Sequence, residues 1–113
     1  MPYIKLQSEY DDLDKYKNIY DDVWYYKKNT QLYHNPYGPA IIYKAGTLYY
    51  YINNKCHRLD GPARIWPDGY IEYWINDIEL TKEKFETHPE RLKFLGKEHL
   101  ICLTWNYNQN ILI

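Results

Sequence analysis

Apolar and polar positions alternate with a period of two through the middle of the chain, as in strands that bury one face. Thr47 to Ile52 sets Leu48, Tyr50 and Ile52 against Thr47, Tyr49 and Tyr51, and Tyr70 to Ile75 sets Ile71, Tyr73 and Ile75 against Tyr70, Glu72 and Trp74. The better matched set, Leu48/Ile71, Tyr50/Tyr73 and Ile52/Ile75, is assigned to the core, and the variable set to an outer face. Turn residues separate these runs. Asp68-Gly69 lies between Ala63-Arg64-Ile65-Trp66 and the second run, a strong hairpin signal, and Ala45-Gly46 holds the corresponding place before the first. Asn53-Asn54 and Asn76-Asp77 suit backbone with positive φ. The Gly-Pro-Ala triplets at 38–40 and 61–63 lead into strands, and proline's missing donor places them at strand entrances or edges. The pattern predicts an antiparallel meander, with about five strands between Val23 and Ile78.

The period changes in the last third. Thr81 is placed to cap a short helix over Lys82-Glu83-Lys84-Phe85-Glu86, and Thr87-His88-Pro89-Glu90 has capping-box spacing for a second helix ending near Gly96. Phe85, Leu92, Phe94 and Leu95 would supply the stripe that covers the sheet. Leu100 to Trp105 reads equally as a buried strand or a helix, and Ile111-Leu112-Ile113 is apolar enough to be packed or in an interface. At the other end, Leu13, Tyr16 and Tyr20 fit one helical face, while Tyr3-Ile4-Lys5-Leu6 fits a strand.

A longer period overlies the alternation. H34-NPYGPAIIYKAGTLYYYIN-53 returns after 23 residues as H57-RLDGPARIWPDGYIEYWIN-76, with identities that include His34/His57, the Gly-Pro-Ala triplets, Gly46/Gly69, Tyr50/Tyr73 and Asn53/Asn76. A partial unit precedes them, because Trp24-Tyr25-Tyr26 leads to His34 as Tyr49-Tyr50-Tyr51 leads to His57, with two more residues in the turn. Internal repeats of this length indicate units that stack and offer surface.

Composition sharpens that picture. The chain has 113 residues, enough for one domain, and carries 15 tyrosines and 4 tryptophans, more rings than so small an interior can take. Some rings must therefore lie at the surface and favour contact with a partner or another copy of the chain. Net charge is −1, so no global field attracts nucleic acid or an anionic membrane. Residues 1–22 hold six acids against three lysines and residues 23–76 six bases against three acids, which suits intramolecular or head-to-tail complementarity. Cys56 and Cys102 are read as free thiols in a reducing, intracellular setting, with no leader sequence and no apolar run long enough to span a bilayer.

Candidate chemistry is sparse. His57 and Asp60 lie near a glycine turn and invite an acid–base reading, but His34 and His57 recur in phase with the repeat, which favours a structural role. No pair of cysteines or histidines has metal-ligand spacing, and no nucleophile elbow or phosphate loop occurs, so neither a cofactor nor a metal is expected. Tyr49, Tyr51, Trp66, Tyr70 and Trp74, with Arg58 and Arg64 at the rim, are the candidate partner-binding residues. Rings interleaved with cations also match a stacking platform for single-stranded nucleic acid, which makes that the alternative.

The segments HNPYGPAIIY and HRLDGPARIWPDGYIEYWIN resemble the MORN-like repeat variant, H-x-x-D-G-P-A followed by D-G and Y-W-x-N, found in giant DNA viruses and some phages. IELTKEKF is similar to the short helix that closes such arrays. The resemblance covers roughly residues 24–86, and the first unit departs from it in having Asn35-Pro36-Tyr37 where the second has Arg58-Leu59-Asp60. It implies a hairpin-built interaction or scaffold module, with homodimerisation and, in related arrays, lipid binding. The expectation is thus one α+β, β-rich domain over residues 1–113: an N-terminal segment (1–22), a repeat meander (23–80) and a C-terminal helical or strand cap (81–113). It would act as a non-enzymatic protein partner, most simply a homodimer, in the host cytoplasm or a virion.

Overall fold

The computed structural model describes residues 2–96, so the readings of Leu100 to Trp105, Cys102 and Ile111 to Ile113 lie outside the described residues. Ten strands and two short helices follow in chain order: β1 (Tyr3–Leu6), β2 (Leu13–Asn18), β3 (Val23–Lys27), β4 (Ile41–Ile42), β5 (Leu48–Tyr49), β6 (Tyr51–Ile52), β7 (Lys55–Cys56), β8 (Arg64–Ile65), β9 (Ile71–Ile75), β10 (Ile78–Leu80), α1 (Lys82–Glu86), and α2 over residues 89–96. Eight strands form one sheet in the order β1-β2-β3-β4-β5-β8-β9-β10, and β6 and β7 pair as a separate hairpin. Every pairing is antiparallel.

The turns form where the sequence places them. Asn53, Asn54, Asn76 and Asp77 take φ of 48°, 66°, 50° and 69°, the left-handed region that a short amide or carboxylate side chain tolerates. Asp68-Gly69 does not make a two-residue hairpin. Gly69 N–H donates to Trp66 O and Trp66 N–H to Tyr70 O, giving a three-residue loop that opens on Pro67 and closes on glycine at φ 92°. Tyr43 to Thr47 carries the same two bonds, with Gly46 at φ 109° and Pro67 Cγ 3.0 Å from where its Cβ would stand. Gly46→Ala should therefore cost about 2–4 kcal/mol and Gly69→Ala, whose site is open, about 1–2 kcal/mol, measured as denaturation midpoints.

Four expectations need correction. Tyr3–Leu6 is a strand as read, but the stretch from Leu13 is a strand and not a helix: β1 pairs with β2 and β2 with β3 in the main sheet, so Leu13 and Tyr16 point to opposite faces. The region from Val23 to Leu80 holds eight short strands, because the strand through Tyr50 changes partner there. Leu48 and Tyr49 pair with β8, whereas Tyr51 and Ile52 pair with β7. The core is also not the matched set. Ile75 is 1% exposed, but Ile71 is 40% exposed and the other four are half-buried. Among the described residues the buried apolar ones are Leu13, Tyr25, Ala40, Ile41, Cys56, Ala63, Ile75 and Phe85. Ala40 and Ala63 are fully enclosed where each triplet's backbone hydrogen-bonds to the next strand, at Tyr49 O and Glu72 O.

The second helix begins one residue later than the capping-box spacing places it. Thr87 closes α1, donating its hydroxyl to Glu83 O, and His88 caps α2: its carbonyl accepts Leu92 N–H and its Nδ1 accepts Glu90 N–H. Pro89 then occupies the first helical position, where its missing donor costs nothing. Thr81 caps α1 as read, accepting Lys84 N–H. Phe85 is the buried anchor, stacked on Tyr73 with centroids 4.4 Å apart, while Leu92 is 51% exposed. No helix among the described residues is long and apolar enough to cross a membrane.

Candidate interaction face

Strand alternation puts Tyr49 and Tyr51 on one side of the chain and Tyr50 on the other. Antiparallel pairing brings the rings of neighbouring strands together, Tyr49 against Trp66 at 5.8 Å and Trp66 against Tyr70 at 5.1 Å. Tyr49 also meets Tyr43 at 5.4 Å and Tyr51 at 6.4 Å. Arg64 rises between them. Its guanidinium carbon lies 4.7 Å from the Tyr49 centroid and 4.5 Å from that of Trp74, and Nη2 donates to the Tyr51 hydroxyl. Glu72 completes the cluster, 3.5 Å from Arg64 Nη1 and accepting from Trp74 Nε1. Six of the seven residues marked in the sequence are therefore gathered on one face.

Arg58 is the exception. It stacks on Tyr50, 4.0 Å from the ring centroid, donates Nε to Asp60 at 2.8 Å and Nη1 to Pro62 O at 3.0 Å. It thus serves the opposite side, lining an open pocket of about 360 Å³ with His57, Asp60 and Phe94.

Sequence reasoning missed five further members of the face. From Tyr51 the row continues to Tyr33 at 5.6 Å, Tyr26 at 5.2 Å, Tyr16 at 5.4 Å, and then Trp24 and Tyr3. A line of touching rings thus runs from β1 to the β8–β9 hairpin, each contact contributing about 0.5–1.5 kcal/mol beyond its buried area. Its signal in the sequence is the alternation Tyr3-x-Lys5, Asp14-x-Tyr16 and Trp24-x-Tyr26, in phase with Tyr49-x-Tyr51. The row is half-buried along most of its length, and burial pushes the Tyr33 hydroxyl up to about 12. Tyr70, at 57% exposed, is its open end.

The histidines are held by the backbone. His34 Nδ1 accepts Asn53 N–H at 2.9 Å and His57 Nδ1 accepts Asn76 N–H at 3.0 Å. Burial lowers both imidazoles below the usual histidine value. With Nδ1 of His57 so occupied and Asp60 turned to Arg58, the base and orienter of an acid–base pair do not meet. Cys56 is fully buried, and burial raises its thiol to about 11, so it acts as a small apolar group. Among the described residues no cluster of His, Cys, Asp or Glu is arranged to hold a metal ion. Comparison with protein-family models, with curated proteins and with solved structures gives no match.

Proposed function

We propose that this chain is a MORN-like repeat protein that acts as a non-enzymatic interaction or scaffold module of a giant virus or phage, inside the host cell or in the virion. Its contact face is the ring row, and its partner is a protein, a second copy first of all. The observation that carries this reading is the gathering of Tyr49, Tyr51, Arg64, Trp66, Tyr70 and Trp74 on one face. Ordered rings around a cation already held in place offer area with few rotors left to freeze.

Bonds that recur 23 residues apart support the repeat. Beyond the turns and histidines, Asn54 N–H donates to Tyr33 O as Asp77 N–H does to Cys56 O, and Asn35 N–H to Tyr51 O as Arg58 N–H does to Trp74 O. Where the units differ in sequence the bond is kept by other means: Asn35 Nδ2 reaches Pro39 O as Arg58 Nη1 reaches Pro62 O, each at 3.0 Å. A protein partner is favoured over nucleic acid because Glu72 neutralises Arg64 within the face and Asp60 neutralises Arg58 away from it. Cations so paired are poorly placed to release counterions from phosphates.

Light-scattering mass at rising protein concentration tests the reading. Wild type should associate, Tyr70→Lys should weaken association about tenfold without lowering Tm, and a single-stranded oligonucleotide should not be retained at physiological salt. Retention lost in Arg64→Ala would instead favour the nucleic-acid alternative.

A further inference from the structure

We infer that copies of this chain join head to tail through their sheet edges, β10 of one copy pairing with β1 of the next. The idea rests on the proposed self-association and specifies a second contact for it.

Topology makes the joint possible. Eight strands in antiparallel order give outer strands that run in opposite directions, so a copy translated along the sheet brings its β1 antiparallel to β10 of its neighbour. The faces also agree. Lys5 shares a face with Asp14 and the ring row, 3.5 Å from the Asp14 carboxylate, and Glu79 is paired with Trp74 on that same face. Ile4 and Leu6, like Ile78 and Leu80, point the other way.

The side chains select the register. With Lys5 opposite Glu79 of the next copy, Ile4 falls opposite Leu80 and Leu6 opposite Ile78, giving one opposite-charge pair and two apolar pairs. Among the described residues Ile4 is 57% exposed and Ile78 63% exposed, so each has apolar surface for such a joint to take out of water. Pairing an edge with itself is worse. A two-fold β10 joint centred on the strand sets Glu79 on Glu79, and the two-fold β1 joint that keeps Ile4, Lys5 and Leu6 all paired sets Lys5 on Lys5. Lysine on an edge strand commonly guards against indiscriminate pairing. Here it does so while admitting an edge that carries an acid. A head-to-tail joint leaves one free edge at each end of the pair, so by translation the copies extend as a twisted ribbon in which successive ring faces are continuous.

Asymmetry gives the test. Ile4→Asp disables β1 and leaves β10 intact, and Ile78→Asp does the reverse; both residues are exposed, so the fold should survive. The variants are made in a Tyr70→Lys background, which suppresses face-to-face contact and lets the edges fail or succeed on their own. By sedimentation and light scattering, the Tyr70→Lys parent should grow past two copies without a plateau as concentration rises. Each edge variant alone should associate at least about tenfold more weakly. Their equimolar mixture should form a complex of two chains and stop there. Self-dimers of Ile78→Asp alone, self-dimers of Ile4→Asp alone, a mixture that stays monomeric, or a parent that stays monomeric would each overturn the inference. If either aspartate lowers Tm, lysine at the same position replaces it.

Discussion

Phe85→Ala is expected to lower stability by about 3–5 kcal/mol, the cost of emptying a well-filled aromatic site. Phe85 is 2% exposed, lies 4.4 Å from the Tyr73 ring at an interplanar angle of 29°, and carries the Arg91 guanidinium 4.4 Å from its centroid. Arg91 in turn donates to Leu59 O, so one ring ties α1, α2 and the loop before β8 to the sheet. Because α1 has only five residues, it has no stability of its own once that ring is gone. The loss should appear as a fall in Tm of more than about 10 °C, together with early exchange of the amides of residues 82–96. Phe85→Leu, which keeps most of the apolar volume but not the stacking, should cost about 1–2 kcal/mol. If Phe85→Ala cost under about 1 kcal/mol, the helices would not be what covers this part of the sheet.

What the sequence announces and what it hides divide along the range of the interaction. Gly46, Gly69 and the four Asn and Asp turn residues are legible because positive φ is a local demand that few residue types meet, and Thr81 is legible because a cap is settled within four residues. The N-terminal hairpin is not, since Leu13, Tyr16 and Tyr20 satisfy a helical spacing and only pairing with β1 and β3 decides for strands. The core is hidden for a different reason. Ala40, Ala63 and Cys56 are buried because other backbone comes close to them, a property of their neighbours and not of their own modest apolarity. Side-chain class likewise placed Arg58 beside Arg64, whereas the turn at His57 carries Arg58 to Tyr50 and the opposite side. The rings themselves were visible; their continuity from β1 to the β8–β9 hairpin required the register and the bridge between Tyr26 and Tyr33.

Acid should weaken this fold before its carboxylates titrate, and the two repeated histidines should be the cause. Nδ1 of His34 and of His57 accepts a backbone N–H, which an imidazolium cannot do, and partial burial further disfavours the charged ring. Both folded values therefore lie below the ordinary 6.5, and between the folded and the unfolded value the unfolded chain binds more protons. Their contribution is therefore complete above 6.5 and is lost as pH falls through that value and through the folded one. Asp14 responds lower, because Asn29 N–H and the Lys28 and Lys5 ammonium groups hold its carboxyl below the usual range. Tm should thus be flat from about pH 8 to 7 and begin to fall below about 6.5. His34→Asn/His57→Asn puts an amide oxygen where Nδ1 stands, keeping the acceptor without the titration, and should remove the first fall while leaving the second. His34→Ala/His57→Ala removes both acceptors and should cost about 1–3 kcal/mol at every pH. A wild-type Tm that stayed level from pH 7 to 5, or an Asn variant that kept the same slope, would show that these imidazoles do not hold the turns at Asn53 and Asn76.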